Sequence, residues 1–440
     1  MSNSGKTLGS TFLHTLSISL YNTAILSYGF IIHVSRYVNQ KADRWVRGRQ
    51  NWRQQIEASS LGHQQPIWIH AASLGEFEQA RPLISAIRST DASAPIVVTF
   101  FSPSGFEQVR KKGIADDVFY LPLDTPKNAS DFVERLNPRI ALFVKYEFWY
   151  HFYRALAKKS IPLFLISAIF REDQPFFRPY GHLFRKLLFF TEHIFVQDEQ
   201  SQKLLAEIGY ERTSIAGDTR FDRVVEIAGN REELPLVEQF MHNHSTLVAG
   251  STWPTDENVL ASFYHNNHDK GLNFIIAPHE VDQKHVEQLR TLFGKRAVTY
   301  TSLLHAEQVP ENCDVLLIDN IGMLASLYQY GTFAYVGGGF DAGIHNILEA
   351  AVYGMPVFFG PNHQKFNEAN ELLREGGGFE VKNSEAFATK LRWLLEHDTE
   401  RQRASQAAYD YVHSKTGGTS VIMDYLRNKR LISSSRGEVD

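Results

Sequence analysis

The chain has a single cysteine, Cys313, in 440 residues. Neither an intramolecular disulfide nor a thiolate zinc site can be built from it, so the fold needs no oxidising compartment. Histidine is plentiful at 18, yet no His-Glu-x-x-His or comparable metal spacing occurs, and the pair His242 and His244 reads as exposed polar surface. No Gly-x-x-x-x-Gly-Lys-Ser/Thr run is present, which removes the P-loop classes. An excess of positive charge is missing too. With 45 basic and 49 acidic residues, net -4, no nucleic-acid partner is expected. Charge is also missing locally: residues 7–35 contain no Lys, Arg, Asp or Glu, and 12–34 are mostly Leu, Ile, Tyr, Phe and Ala. A bilayer span needs ~20 apolar residues, so the stretch is long enough, although Ser, Thr, Asn and His dilute it. A single span and a helix lying in the interface both fit, and a buried helix is the bland alternative. Arg36, Lys41, Arg44, Arg47, Arg49 and Arg53 follow, and the positive-inside rule would hold them and the rest of the chain on the cytoplasmic face.

What is present is a globular composition, 43% hydrophobic and 21% charged, in a chain long enough for two or three domains of ~150 residues. Behind Pro66 short β-rich runs alternate with helical stretches at 67–70, 96–100, 118–121, 140–144, 163–166, 193–196 and 213–216. This is the pattern of a parallel sheet wrapped by helices. Residues 229–235 are mostly charged and polar and read as a linker. The alternation then restarts at 246–249, 273–277, 315–318, 333–336 and 356–359, implying a second sheet of the same kind.

Ligands of open parallel sheets collect where strands end, so the residues just past each strand matter most. In the second half these are Gly250 to Trp253, Pro278 to Glu280, Asp319 to Met323, a glycine loop from Gly337 to Gly343, and Gly360 to His363. The glycine loop reads as an anion cradle ahead of a helix start, with His345, Asn346 and Glu349 at helical spacings beyond it. A tight turn with a polar cap is equally open. Its spacing is one residue too long for a dinucleotide fingerprint, and it comes late in its domain, which disfavours a Rossmann oxidoreductase. In the first half the same edge carries carboxylates. Glu76 sits where a helix begins after Ser73, as either a capping-box residue or a base facing an interdomain cleft. Glu147 follows the strand 140–144, as either a second site carboxylate or a surface partner of Lys145 or Arg154.

Together these features resemble a GT-B glycosyltransferase, which implies an α/β fold with two Rossmann-like domains facing an interdomain cleft and an N-terminal membrane-anchoring helix. More closely, the sequence resembles the 3-deoxy-D-manno-octulosonic acid (Kdo) transferases of lipopolysaccharide synthesis. The resemblance runs through Ile67-Trp68-Ile69-His70-Ala71-Ala72-Ser73-Leu74-Gly75-Glu76, Glu147-Phe148-Trp149, Gly217-Asp218-Thr219-Arg220-Phe221-Asp222, Asp319-Asn320-Ile321-Gly322, and His345-Asn346-Ile347-Leu348-Glu349 to Phe359-Gly360-Pro361. It implies an anchor over 1–40, an acceptor domain over 41–228, a nucleotide-sugar domain over 229–425 and a polar tail over 426–440. The implied reaction moves Kdo from CMP-Kdo to a lipid A precursor of the lipid IVA type at the inner membrane, on its cytoplasmic face, inverting the anomeric carbon without a metal ion or other cofactor.

Carried over by motif, the catalytic base resembles Glu76, and Glu147 and Arg220 resemble the groups that support the transition state. CMP contacts resemble Pro278 and His279, then Ile321, Gly322 and Met323, then Asn346, Ile347, Leu348 and Glu349. The sequence departs from the family in having Lys145 where many members carry a carboxylate, and Arg220 where lysine is usual, which keeps the charge but changes its geometry. A GT-B enzyme with a different nucleotide sugar, and a non-catalytic membrane-bound nucleotide-sugar-binding protein, are the alternatives.

Overall fold

All twelve runs read as strands form strands in the structure, a computed structural model that describes residues 4–241, 244–267 and 271–433. His242 and the end of the expected polar tail, 434–440, lie outside the described residues. The first sheet contains β1 (Ile67–Ala71), β2 (Ile96–Phe100), β3 (Asp117–Tyr120), β4 (Ile140–Val144), β5 (Leu163–Ala168), β6 (His193–Val196) and β7 (Thr213–Ile215). The second contains β8 (Ser245–Thr252), β9 (Leu272–Pro278), β10 (Ala297–Thr299), β11 (Val315–Leu317), β12 (Phe333–Val336), β13 (Val357–Phe359) and β14 (Gly378–Glu380). The two strands that sequence reading missed, β10 and β14, are three-residue strands at the sheet edges, too short to show a period.

Every strand pair is parallel. Such sheets are covered on both faces, which is why their strands are continuous apolar runs rather than alternating ones. In the first sheet Ile67, Ile69 and Ala71 enter one core layer with Ile96, Val98, Ile140 and Leu142. Trp68 enters the opposite layer with Val97, Ala141 and Phe143. Successive side chains along each strand therefore serve opposite layers.

The strand orders are β3-β2-β1-β4-β5-β6-β7 and β10-β11-β9-β8-β12-β13-β14. In each sheet the first strand is internal, and the chain later returns to its other side. That creates a topological switch between β1 and β4, and another between β8 and β12. Loops leaving the carboxyl ends of such strands diverge and open a crevice, the usual ligand position in this class of sheet.

Close contacts divide the chain into two units, Met1–Arg223 with Thr416–Asp440, and Val224–Lys415. The expected boundary at 228/229 thus moves a few residues into the helix Arg220–Gly229. The helix Gly418–Asn428, expected mostly with the second domain, belongs to the first. Its Ile422, Met423 and Leu426 join the core layer of Ile67 and Ile69, and Asp222 accepts hydrogen bonds from the N–H groups of Gly417 and Thr419 at its start. Beyond the helix, Ile432 is buried in the same core layer, with Leu431 packed against it.

The charge-free N-terminal run forms a helix, Ser4–Ser35. One side is tied to the first unit: the Tyr21 hydroxyl donates to Asp124 (2.5 Å), Asn22 Oδ1 meets the His151 ring (2.6 Å), and Tyr28 stacks on Phe101. Leu16, Leu20, Leu26, Phe30, Ile31 and Val34 are exposed. Within it, Thr15–Ser35 is long and apolar enough to cross a membrane. The basic cluster behind it is largely engaged. Arg36 and Arg47 share Asp43, Arg44 pairs with Glu107 and Arg53 with Asp131. Arg49 is half-buried against the Trp45 ring, and its three nitrogens donate to the carbonyls of Leu121, Trp45 and Phe101. Burial pushes this guanidinium down to about 9.

Candidate functional site

The first unit gathers its polar groups at the carboxyl ends of β1, β4 and β5. Glu76 lies in the first turn of the helix Leu74–Thr90, directly after β1, and is partly exposed. The capping-box reading is not what forms. Ser73 makes no side-chain bond to the helix backbone, and its hydroxyl donates to the Glu76 carboxylate instead. The carboxylate therefore stays in the first turn, at the positive end of the helix dipole.

Glu147 follows β4 on the neighbouring strand, so Glu76 and Glu147 leave the sheet on the two sides of its switch point. In place of a surface ion pair, Glu147 meets two buried or half-buried rings: His70 Nε2 at 3.0 Å and Trp149 Nε1 at 2.8 Å, both on Oε2. The chain is strained at this edge. Lys145, just past β4, and Ser167, near the end of β5, have φ of 56° and 50°, in a region that residues with a Cβ seldom occupy.

Arg220 opens the helix Arg220–Gly229 and is folded onto Asp218, a partner that sequence reading did not single out. Asp218 also accepts from Gln79 Nε2 at 3.0 Å, on the helix Leu74–Thr90 that carries Glu76, and the Thr219 hydroxyl donates to the Gln79 carbonyl at 2.6 Å. The Gly-Asp-Thr-Arg-Phe-Asp run is thus a junction joining the Glu76 helix, Arg220 and, through Asp222, the C-terminal helix. Burial would raise the Asp218 carboxyl, but the charge and hydrogen bonds of Arg220, with help from Lys145, hold it below the usual carboxylate range.

In the second unit, β8 and β12 flank the switch. Trp253, after β8, stacks on His279, after β9, at 4.8 Å between ring centroids, and His279 stacks on His345 at 4.5 Å. Trp253 Nε1 donates to His345 Nε2 at 3.2 Å, locking the outer rings around the middle one. Burial, followed by the neighbouring His279, lowers the His345 pKa, consistent with an unprotonated acceptor nitrogen. His279 itself is exposed, while Pro278 is buried as the last residue of β9. Beyond β12, Asn346 Nδ2 donates to Glu349 Oε1 at 3.0 Å, and Asn346 Oδ1 accepts from the Leu348 N–H. Ile347 and Leu348 are fully buried, so they can offer a ligand only backbone groups. Ile321, Gly322 and Met323 form a separate loop after β11, where Ile321 is 89% exposed and Gly322 has φ of 103°.

Of the two readings left open for the glycine loop, the packing of its backbone fits the tight turn. An alanine Cβ at Gly337 would lie 2.3 Å from the Ser251 carbonyl, and one at Gly339 would lie 2.5 Å from the Gly360 nitrogen. These glycines let neighbouring strand ends approach one another. The Gly338 N–H is taken by Asp256 (2.8 Å), a fully buried carboxylate that also accepts from the Trp253 N–H and the Tyr335 hydroxyl. The helix expected behind the loop is a single turn, Leu348–Ala351, with little dipole to offer. Asp256 escaped sequence reading, although Pro254 at the first helical position marked where its helix begins. Among the described residues, no group of three or more His, Cys, Asp or Glu is placed to hold a metal ion.

A family model described as 3-Deoxy-D-manno-octulosonic-acid transferase (kdotransferase) matches residues 49–223. The chain is similar to the 3-deoxy-D-manno-octulosonic acid transferase of Aquifex aeolicus, 30% identical over 335 residues that make up 75% of this chain and 86% of that relative. It is also 28% identical to that of Haemophilus influenzae over 379 residues, 82% of this chain and 87% of the relative. Among solved structures, UDP-GlcNAc 2-epimerase from Neisseria meningitidis bound to UDP-GlcNAc aligns with a TM-score of 0.59 at 15% identity, covering 82% of this chain and 100% of that one. That likeness is one of fold, two Rossmann-like units of the GT-B kind.

Proposed function

Because the chain belongs to the 3-deoxy-D-manno-octulosonic acid transferase family, and is therefore a glycosyltransferase of lipopolysaccharide biosynthesis, we propose that it transfers Kdo from CMP-Kdo to a lipid A precursor at the inner membrane. The observation that carries the reading is the placement of Glu76 and Glu147 on either side of the switch in the first sheet.

Glu76 takes the proton of the acceptor hydroxyl as its oxygen bonds to the anomeric carbon of Kdo. The bond from that carbon to the CMP phosphate breaks on the opposite face, which inverts the centre. A positioned base of this kind contributes roughly 100- to 10,000-fold. Glu147 and Arg220 support the charge that develops, Arg220 as a guanidinium already oriented by Asp218. The second unit holds the donor. His279, kept flat by Trp253 and His345, offers an aromatic face and edge, while Glu349, held by Asn346, suits ribose hydroxyls. Pro278, Ile321, Gly322, Met323, Ile347 and Leu348 complete the contact set, largely through the backbone. The exposed apolar side of the helix Ser4–Ser35 attaches the enzyme to the bilayer from which it draws its lipid acceptor.

The test is mass spectrometry of the product formed from CMP-Kdo and a tetraacylated lipid A precursor. Addition of Kdo by the wild type, and its loss in Glu76→Gln, is the expected result. Full activity of Glu76→Gln defeats the base assignment. Preferential binding of a uridine nucleotide sugar over CMP-Kdo defeats the donor assignment.

A further inference from the structure

His70 is the fourth residue of β1 and is fully buried, yet its ring has a polar partner at each nitrogen. Nδ1 faces Thr99 on β2, 2.8 Å from Oγ1 and 3.1 Å from the carbonyl oxygen. Nε2 faces Glu147 Oε2 at 3.0 Å. Thr99 is itself anchored, accepting from Trp68 Nε1 at 2.8 Å. The chain of contacts runs from Trp68 through Thr99 and His70 to Glu147, crosses β1, β2 and the end of β4, and ends at the first sheet's switch.

Proton counting assigns its direction. An ionised carboxylate only accepts, so the contact with Glu147 requires a proton on Nε2. Thr99 can serve the other nitrogen in either state, by donating its hydroxyl proton to a bare Nδ1 or by accepting an Nδ1–H at its carbonyl. Trp149 Nε1 donates to the same Oε2 at 2.8 Å. Two ring N–H donors on rigid, packed frames therefore converge on one oxygen of Glu147. The other oxygen, Oε1, has no protein donor among the described residues, so it remains for the reacting groups.

From this we infer that His70 is a positioning residue: held by Thr99, it pins Glu147 through Nε2–H so that the free carboxylate oxygen faces the reaction centre. The inference rests on the proposed role of Glu147 in Kdo transfer. His70 acts through Glu147 and touches no substrate. The packing suits this task, because the ring lies 4.9 Å from Phe143 in the core, where a rotamer change would cost contacts on every side.

Two measurements test it. In wild-type protein labelled with ¹⁵N-histidine, with the His70 signals assigned by their loss in His70→Gln, Nε2 should appear in the protonated range. This readout needs no activity. In the transfer assay, His70→Phe fills the same space without the donor and should lower kcat on the order of 100-fold, the scale of a misplacement of about 1 Å, with KM for CMP-Kdo unchanged within about twofold. His70→Gln places an amide N–H near the lost Nε2 and should recover most of that loss. A bare Nε2 in an active wild type, or wild-type kcat in a folded His70→Phe, overturns the positioning role. A wild type that transfers no Kdo defeats the functional reading instead, which separates the two failures.

Discussion

Arg220 and Asp218 form a two-pronged pair, with Arg220 Nε 2.9 Å and Nη2 2.8 Å from Asp218 Oδ2, and the Arg220 N–H 2.9 Å from Oδ1. Asp218 is only 8% exposed, so its charge depends on that guanidinium. Asp218→Asn should cost about 3 kcal/mol, the low end for a broken buried pair because Arg220 can still reach water. The pH dependence follows from a folded pKa held below the ordinary value. The stabilisation is present above the unfolded carboxylate range near pH ~4 and is lost as pH falls through the folded value. Denaturant unfolding of both proteins at neutral and acidic pH measures it. Wild type and Asp218→Asn should converge in acid, and a gap that persists there contradicts the pairing.

Ser73 and Glu76 separate two roles that sequence alone left open. If the carboxylate were a cap, Glu76→Gln would cost stability and spare turnover. The hydroxyl of Ser73 turns instead to the Glu76 carboxylate. Glu76→Gln should lower kcat by at least ~100-fold while changing stability by less than about 1 kcal/mol. Ser73→Ala should lower kcat by roughly tenfold, since a single hydrogen bond to a charged group contributes about 1.5 kcal/mol or more. Steady-state kinetics alongside thermal melts decide between the roles.

Both sheets were legible because strands covered on both faces are unbroken apolar runs, as in Ile-Trp-Ile-His-Ala of β1. The strand-end carboxylates Glu76 and Glu147 were legible for the same reason, since they follow such runs directly. The partners of those residues were not. His70 with Glu147 and Gln79 with Asp218 join positions 77 and 139 residues apart, and no local pattern records such a meeting. The glycine loop stayed ambiguous in the sequence for a physical reason. Close approach of the backbone to a phosphate and close approach to a neighbouring strand end demand the same residue, and here Gly337 and Gly339 meet protein backbone.

Asp124 ties the N-terminal helix to the first unit and should make its docking sensitive to pH. It accepts from the Tyr21 hydroxyl and from the N–H groups of His151 and Phe152, yet burial outweighs these bonds and pushes its carboxyl up to about 6. A raised folded pKa gives stability that is complete below the unfolded value and is lost as pH rises through the folded one. Relative to Asp124→Asn, wild type should therefore lose on the order of 3 kcal/mol between about pH 4 and pH 7. Unfolding free energies of the two proteins across that interval provide the check, and a constant difference rules the assignment out.

Gly339 distinguishes a loop built for packing from one built for a ligand. Its added Cβ would sit 2.5 to 2.9 Å from the N, Cα and carbonyl carbon of Gly360, atoms that can retreat only if the ends of β12 and β13 part. Gly339→Ala should therefore destabilise the ligand-free protein by about 1–3 kcal/mol, the ordinary cost of overpacking. Were the glycine present only for a phosphate, the same change would leave the ligand-free protein intact and weaken donor binding alone. Gly376→Ala is the control: φ is 84° but no atom lies within 4 Å of the new Cβ, so its cost is backbone strain of about 1–2 kcal/mol without disturbance of the loop. Melting both variants with and without CMP-Kdo separates the cases. The packing account requires Gly339→Ala to melt early without donor and to bind CMP-Kdo less tightly as the strand ends shift, whereas Gly376→Ala should keep wild-type affinity.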